Sequence, residues 1–133
     1  MSSKLRTLLR SFAFAFSGVL TLVQSQANAR IHLFFTVAVP LAGYYCGLTR
    51  IEWCLLVVAI ILVWATEALN TAVEHLADAS SPQPHPLVGK AKDLAAGAVL
   101  IAAVGSVIIG LLIFGPRILQ VLIHFAAKPL SDS

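Results

Sequence analysis

Three of the six acidic residues in this 133-residue chain, Glu67, Glu74 and Asp78, fall in one stretch, ATEALNTAVEHLAD, running from Ala65 to Asp78. Immediately before it stands LLVVAIILVW, which has no charge. At helical spacing Glu67, Asn70 or Thr71, Glu74 and Asp78 stack on one face, while Leu69, Val73 and Leu76 turn elsewhere. An acidic side chain at the bilayer centre costs about 2.5–3.5 kcal/mol on insertion scales, and such residues mark a functional site or path by default.

Depth separates the acids. With Trp53 at the outer interface, a hydrocarbon core of about 30 Å is crossed in about 20 residues at 1.5 Å each, which ends near Val73. Glu67 then lies about 9 Å inside the cytoplasmic boundary, and Glu74 and Asp78 lie at it or just beyond. The water-side end suits a metal or phosphates; the lipid-side end suits activation of something dissolved in the membrane. Lys92 and Asp93 open the next span at the same level, and the intervening loop brings His85 and Lys90. A lysine for phosphate and carboxylates for Mg²⁺ are what phosphoryl transfer requires. The plainer reading of the Lys92–Asp93 pair is a snorkelling lysine beside an aspartate that favours a helix N-terminus. Neither GxxxxGK[ST] nor GxGxxG occurs. Two classes remain: a membrane-embedded enzyme, or a channel or transporter subunit with an acidic intramembrane path.

The elements that must hold this stripe are hydrophobic. The chain is 59% hydrophobic and 11% charged, an integral membrane composition rather than a soluble one. Residues 1–30 carry Lys4, Arg6 and Arg10 ahead of FAFAFSGVLTLV, with a small-residue pattern near Ala29 that imitates a signal-peptide cleavage site. The alternating Phe12, Phe14 and Phe16, Gly18, and the immediate resumption of apolar sequence after Arg30 point instead to an amphipathic interfacial helix. Residues 31–116 form the core: a first span over 31–48 containing Pro40 and Gly43, a turn at GLTRIEW, a second span from about Ile51 to Asp78, a proline-rich loop over 79–91, and a third span from Lys92 to Phe114 that GPR terminates. Residues 117–133 are an apolar to polar tail, too short for a further span. Ala98, Ala102, Ser106 and Gly110 recur every four residues and serve close helix packing. Cys46 and Cys54 have no metal-ligand spacing and are bystanders.

Lys4, Arg6, Arg10, Arg30, Lys90 and Lys92 on one side, against Arg50, Arg117 and Lys128 on the other, put the N-terminus and the acidic site in the cytoplasm. The net charge of +3 sits at span ends and serves lipid headgroups rather than nucleic acid. A site at membrane depth in so small a bundle implies an oligomer that encloses it.

EALNTAVEHLAD, followed across a short loop by PHPLVGKAKDLAAGAVL, resembles the signature of the small prokaryotic diacylglycerol kinase family, which includes undecaprenol kinases. NARIHL ahead of the first span and RIEW ahead of the second extend the likeness from about Leu5 to Pro116. The resemblance implies an all-α integral membrane fold, an N-terminal amphipathic surface helix plus three transmembrane helices, assembled as a homotrimer with shared active sites in the bacterial inner membrane. It implies transfer of the γ-phosphate of MgATP to the hydroxyl of diacylglycerol or undecaprenol, and RIHL and PHPL look closer to the undecaprenol kinases.

By the motif match Glu67 resembles the general base, Asn70 an active-site polar contact and Glu74 the acidic metal ligand. Lys92 and Asp93 look like nucleotide contacts, and Gln83, Pro84 and His85 occupy the loop that touches nucleotide in the family. One position departs: aligned through ARIHL, the second acidic metal ligand falls on Gln26, whose amide oxygen can still bind Mg²⁺ but without charge. Phe14 stands where a tyrosine contact is expected, with Arg10 the nearest basic residue. If Gln26 belongs to the site, the N-terminal segment stays in the mature protein. Against an ion path, WCLLVVAIILVW in the outer half of the second span offers no polar group to continue it.

Overall fold

The computed structural model describes residues 3–81 and 83–127; Pro82, Lys128 and the rest of the tail lie outside the described residues. Four helices follow in order: α1 (Ser3–Ser25), α2 (Ala27–Tyr45), α3 (Arg50–Ser80) and α4 (Pro86–Ala126). Among the described residues there is no strand.

Each break has a local cause. Gln26 takes an extended conformation, φ −106° and ψ 123°, between α1 and α2, while its N–H still donates to the Leu22 carbonyl at 3.0 Å. At the other end of α2, Gly47 adopts φ 63°. Its N–H reaches the Tyr44 carbonyl at 3.2 Å and that of Leu48 the Gly43 carbonyl at 3.3 Å, a Schellman closure that uses glycine where a Cβ would be strained. Thr49 then caps α3 in a reciprocal box: Glu52 donates its N–H to the Thr49 hydroxyl, and the Glu52 carboxylate accepts the Thr49 N–H at 2.8 Å. α2 therefore ends at Tyr45, slightly earlier than the Leu48 end that the sequence predicts for the first span.

The third apolar segment departs more from expectation. The helix begins at Pro86, with Pro in the first turn and His85 as N-cap, its Nδ1 accepting from the Leu87 N–H at 3.2 Å. The expected loop over 79–91 shrinks accordingly, because a proline at the first helical position lacks only a hydrogen bond that no helix makes there. Nor does GPR stop the helix: α4 continues through Gly115 and Pro116 to Ala126. In that turn the Arg117 Nη1 also donates to the Ile113 carbonyl at 2.6 Å, while Pro116 leaves the Leu112 carbonyl without its i+4 donor, a loss that membrane helices tolerate. At 41 residues, α4 is about 60 Å long, roughly twice the hydrocarbon thickness.

α3 is the central element and the one that touches all the others. Leu56, Ala59, Val63, Glu67, Thr71 and Ala77 are its buried residues along one face, at the spacing that turns a helical stripe inward. Partners on α2 step down as those on α3 step up: Thr36 meets Trp64, His32 faces Glu67, and Gln26 reaches Glu74. α2 thus runs antiparallel beside α3. On the other side α4 does the same, with Lys92 against Asp78, Ser106 against Ala59 and Arg117 against Glu52. The Ser106 hydroxyl lies 3.4 Å from the Ala59 carbonyl, an approach that small side chains allow. Arg117 ties the far end together, binding both Glu52 oxygens at 2.8 and 2.9 Å and the Cys46 carbonyl at 3.3 Å.

Large apolar side chains point outward along every helix, among them Phe14, Ile101 and Leu112, as expected where lipid or another subunit is the neighbour. Among the described residues, three helices are long and apolar enough to cross a membrane: Lys4–Ser25, Arg50–Ser80 and Pro86–Ala126. The first of these is α1, which the sequence reading put at the surface. α2, expected to span, falls short, since Asn28, Arg30 and His32 occupy its first turns.

The α2–α3 turn depends on the left-handed glycine. Gly47→Val should destabilise the protein by roughly 1–2 kcal/mol, and Gly47→Asn should be nearly neutral, read as the midpoint of unfolding in mixed detergent micelles. Equal midpoints for valine and wild type would contradict this account of the turn.

Candidate active site

The inward face of α3 changes character along its length. Leu56, Ala59 and Val63 are apolar; one turn on, Glu67 is 1% exposed, the largest fully buried side chain among the described residues, and Thr71 follows at 6%. His32 of α2 faces Glu67, with Nε2 4.0 Å from the Glu67 Oε2. That is too long for a hydrogen bond. Four buried side-chain atoms in this cluster have no partner: His32 Nε2, Glu67 Oε2, Asn70 Oδ1 and Thr71 Oγ1. Leaving one such group unsatisfied costs about 1–3 kcal/mol, so their clustering marks a place built to receive polar atoms from elsewhere.

A turn further toward the end of α3, Asn70 Nδ2 donates to Glu74 Oε1 at 3.1 Å, and Gln26 Nε2 approaches Glu74 Oε2 at 3.5 Å. The residue that breaks α1 from α2 is thus placed beside the half-buried carboxylate of Glu74 by the break itself. Glu67 and Glu74 are separated by about 10 Å along the helix axis. The oxygens of Glu74, Asn70 and Gln26 are a hard donor set of one carboxylate and two amides, suited to a Mg²⁺ ion that keeps several waters or phosphate oxygens; Gln26 would have to present its carbonyl rather than its amino group. Among the described residues, no group of three or more His, Cys, Asp or Glu is placed to hold a metal by itself.

Beyond Glu74 the strip becomes exposed. Lys92 Nζ pairs with Asp78 Oδ1 at 3.0 Å, the two side chains being 39% and 71% exposed. An ion pair so solvated holds weakly, leaving Lys92 able to turn to another anion. Asp93, next along α4, shares a shallow exposed face with Lys90, Leu94, Gly97, Ala98 and Ile101, turned away from the Glu67 cluster. Gln83, Pro84 and His85 are exposed in the α3–α4 connection. Arg10 and Phe14 are exposed on α1, about 24 and 18 Å along that helix from Gln26. The structure therefore brings Gln26, Glu67, Asn70 and Glu74 onto one interior strip, with Lys92 at its mouth, and does not bring Arg10, Phe14, Asp93 or the 83–85 segment to them within one chain.

His32 was not singled out by the sequence reading as a site residue, and Thr71 was given no role. Both carried a signal: an ionisable or polar group inside an apolar run is a site candidate by the same rule that flagged Glu67. Below His32 lies a cavity of about 330 Å³ between α2, α3 and α4. It is lined by Phe35, Val39, Leu56, Val63, Trp64 and Phe114 among others.

A family model described as prokaryotic diacylglycerol kinase matches residues 13–114. The chain is 39% identical over 116 residues to an undecaprenol kinase of Bacillus subtilis (strain 168), covering 87% of this chain and 94% of that protein. It is 41% identical over 117 residues to a diacylglycerol kinase of Synechocystis sp., covering 87% and 67%, and 34% identical over 110 residues to a diacylglycerol kinase of Haemophilus influenzae, covering 80% and 92%. A match over most of the chain, and relatives matched over at least two thirds of their own length, agree with the buried acidic strip of α3: the chain belongs to the prokaryotic diacylglycerol kinase family.

Proposed function

We propose that this protein is an ATP-dependent lipid kinase that transfers the γ-phosphate of MgATP to the hydroxyl of a membrane lipid, either diacylglycerol, giving phosphatidic acid, or undecaprenol, giving undecaprenyl phosphate. The observation that carries the reading is Glu67: a carboxylate 1% exposed, with one oxygen unpartnered, on the lipid side of a strip whose other end reaches water at Glu74 and Asp78. Relatives named as kinases of these two alcohols support it.

Glu67 is the general base. It accepts the proton of the lipid hydroxyl as that oxygen attacks the γ-phosphorus; the bond from that phosphorus to the ADP oxygen breaks, leaving ADP and the phosphorylated lipid, and the proton passes on to water. Asn70 holds Glu74 in orientation through its 3.1 Å hydrogen bond. Glu74 and Gln26 would hold the metal, which when bound neutralises phosphate oxygens. Lys92 leaves Asp78 to meet a phosphate as a point charge. Asp93, the 83–85 segment, Arg10 and Phe14 contact nucleotide across a boundary between copies, which is why one chain does not collect them. The assembly is a homotrimer.

In the membrane, α2, α3 and α4 cross and α1 lies on the cytoplasmic surface of the bacterial inner membrane. Gln26 and Glu74 fix the end of α1 at the water boundary. Were α1 to cross, Lys4, Arg6 and Arg10 would emerge on the outside, against the distribution of basic residues on the other helices. An ion path is disfavoured because the cavity beyond His32 is lined at its far end by Val39, Leu56 and Phe114.

Glu67→Gln should lower kcat by about 10²–10⁴-fold in mixed micelles supplied with ATP and both lipids, while the oligomer, measured by size-exclusion chromatography, is retained. Full turnover in that variant would remove Glu67 from the mechanism. Restoring an acid at Gln26 should strengthen metal binding: Gln26→Glu should lower the Mg²⁺ concentration for half-maximal activity by about three- to tenfold, since ligand charge tunes affinity at oxygen sites. An unchanged Mg²⁺ requirement would place Gln26 outside the metal site.

A further inference from the structure

The 4.0 Å between His32 Nε2 and Glu67 Oε2 is a gap of defined size between two unpartnered polar atoms. A single oxygen placed between them, with hydrogen bonds of about 2.8 Å to each, would subtend an angle of roughly 90°. A hydroxyl meets both ends, since it donates one hydrogen and accepts through its lone pairs. Its hydrogen would point to Glu67 and its lone pair would accept the His32 N–H, which sets the imidazole tautomer with the proton on Nε2.

What lies behind the gap restricts what the hydroxyl can be attached to. His32 also lines the 330 Å³ cavity, at the small end of the roughly 300–1,000 Å³ of ligand pockets. Its few other polar groups are spent within the protein. Thr36 donates its hydroxyl to the His32 carbonyl at 2.7 Å and accepts from the Trp64 indole at 2.8 Å; Ser106 donates to the Ala102 carbonyl at 2.8 Å. The indole has one N–H and each hydroxyl one hydrogen, so none is left over for an ester carbonyl of an entering lipid.

Resting on the lipid kinase reading, we propose that His32 and Glu67 together form the seat of the acceptor hydroxyl, and that the cavity behind them takes the hydrocarbon attached directly to the carbinol carbon. His32 is then a substrate-binding residue for the alcohol. The acceptor it fits is a long-chain alcohol with no polar group beside its hydroxyl; a diacylglycerol, with ester carbonyls next to the hydroxyl, finds no free donor in the cavity lining, and the unpartnered Thr71 hydroxyl near Glu67 lies outside that lining.

The test compares His32→Leu and His32→Gln in the full-length protein in mixed micelles, two side chains of similar bulk of which only glutamine keeps an N–H. The leucine variant should lose about tenfold or more in kcat/KM for the lipid alcohol, the scale of one lost hydrogen bond, with KM for ATP unchanged, and the glutamine variant should recover part of the loss. For wild type, kcat/KM for a long-chain prenol should exceed that for a diacylglycerol of matched chain length by about tenfold or more. Equal activity of the leucine variant and wild type, or a loss expressed in KM for ATP, overturns the role of His32. Preference for diacylglycerol overturns the role of the cavity. Wild type that labels no lipid at all overturns the kinase reading and this inference with it.

Discussion

A carboxylate closed off at membrane depth can be tolerated only among polar neighbours, and Glu67, 1% exposed in the middle of a helix that begins as an unbroken apolar run, imposes that condition on everything around it. α3 turns this face inward and is the element every other helix touches. α2 brings His32 and Gln26 to it, and with Asn28 and Arg30 nearby the start of α2 is more polar than an ordinary span. The low apolarity of α2 and the buried acid of α3 are thus two sides of one requirement. α4 completes the enclosure by packing along α3 through small residues, with ties at the Asp78 and Glu52 levels.

The same strip divides by solvent access. Toward the start of α3 it is hydrocarbon, from Val63 to Leu56; at Glu67 it is closed off and polar; at Glu74 it is half-buried; at Asp78 it is exposed. A reaction between a water-soluble phosphate donor and a lipid-dissolved alcohol needs such a gradient, because its two substrates arrive from different solvents. Membership of the prokaryotic diacylglycerol kinase family fits that geometry, and the unpaired atoms of His32, Glu67, Asn70 and Thr71 lie between the apolar and the exposed ends of the strip.

Much of this was readable in the chain, for a physical reason: acids are conspicuous against hydrocarbon, and a helix converts their spacing into a face. Glu67, Asn70, Glu74 and Asp78 needed only the helical period. Gln26 carried no signal of its own and was reached through resemblance to family motifs; its contact with Glu74 is a tertiary fact created by the break between α1 and α2. His32 carried the signal of an ionisable group in an apolar run, but its pairing with Glu67 is a tertiary fact, since the two stand on different helices. The prolines misled in both directions. The sequence pattern predicts a loop at Pro86, which instead opens α4, and a stop at Pro116, which the helix passes through, since in lipid an open backbone has nowhere else to bond. Hydropathy does not by itself decide whether α1 spans: it is apolar enough to do so, and the case for the surface rests on where its basic end would emerge.

The central claim is that the strip on α3 moves a phosphoryl group between these two solvents. Purified protein in mixed micelles, given ATP labelled in the γ-phosphate together with diacylglycerol or undecaprenol, tests it most directly. Label should appear in a lipid extract in proportion to enzyme and time. A lipid fraction free of label with both alcohols, alongside cation flux into liposomes holding the same protein, would contradict it.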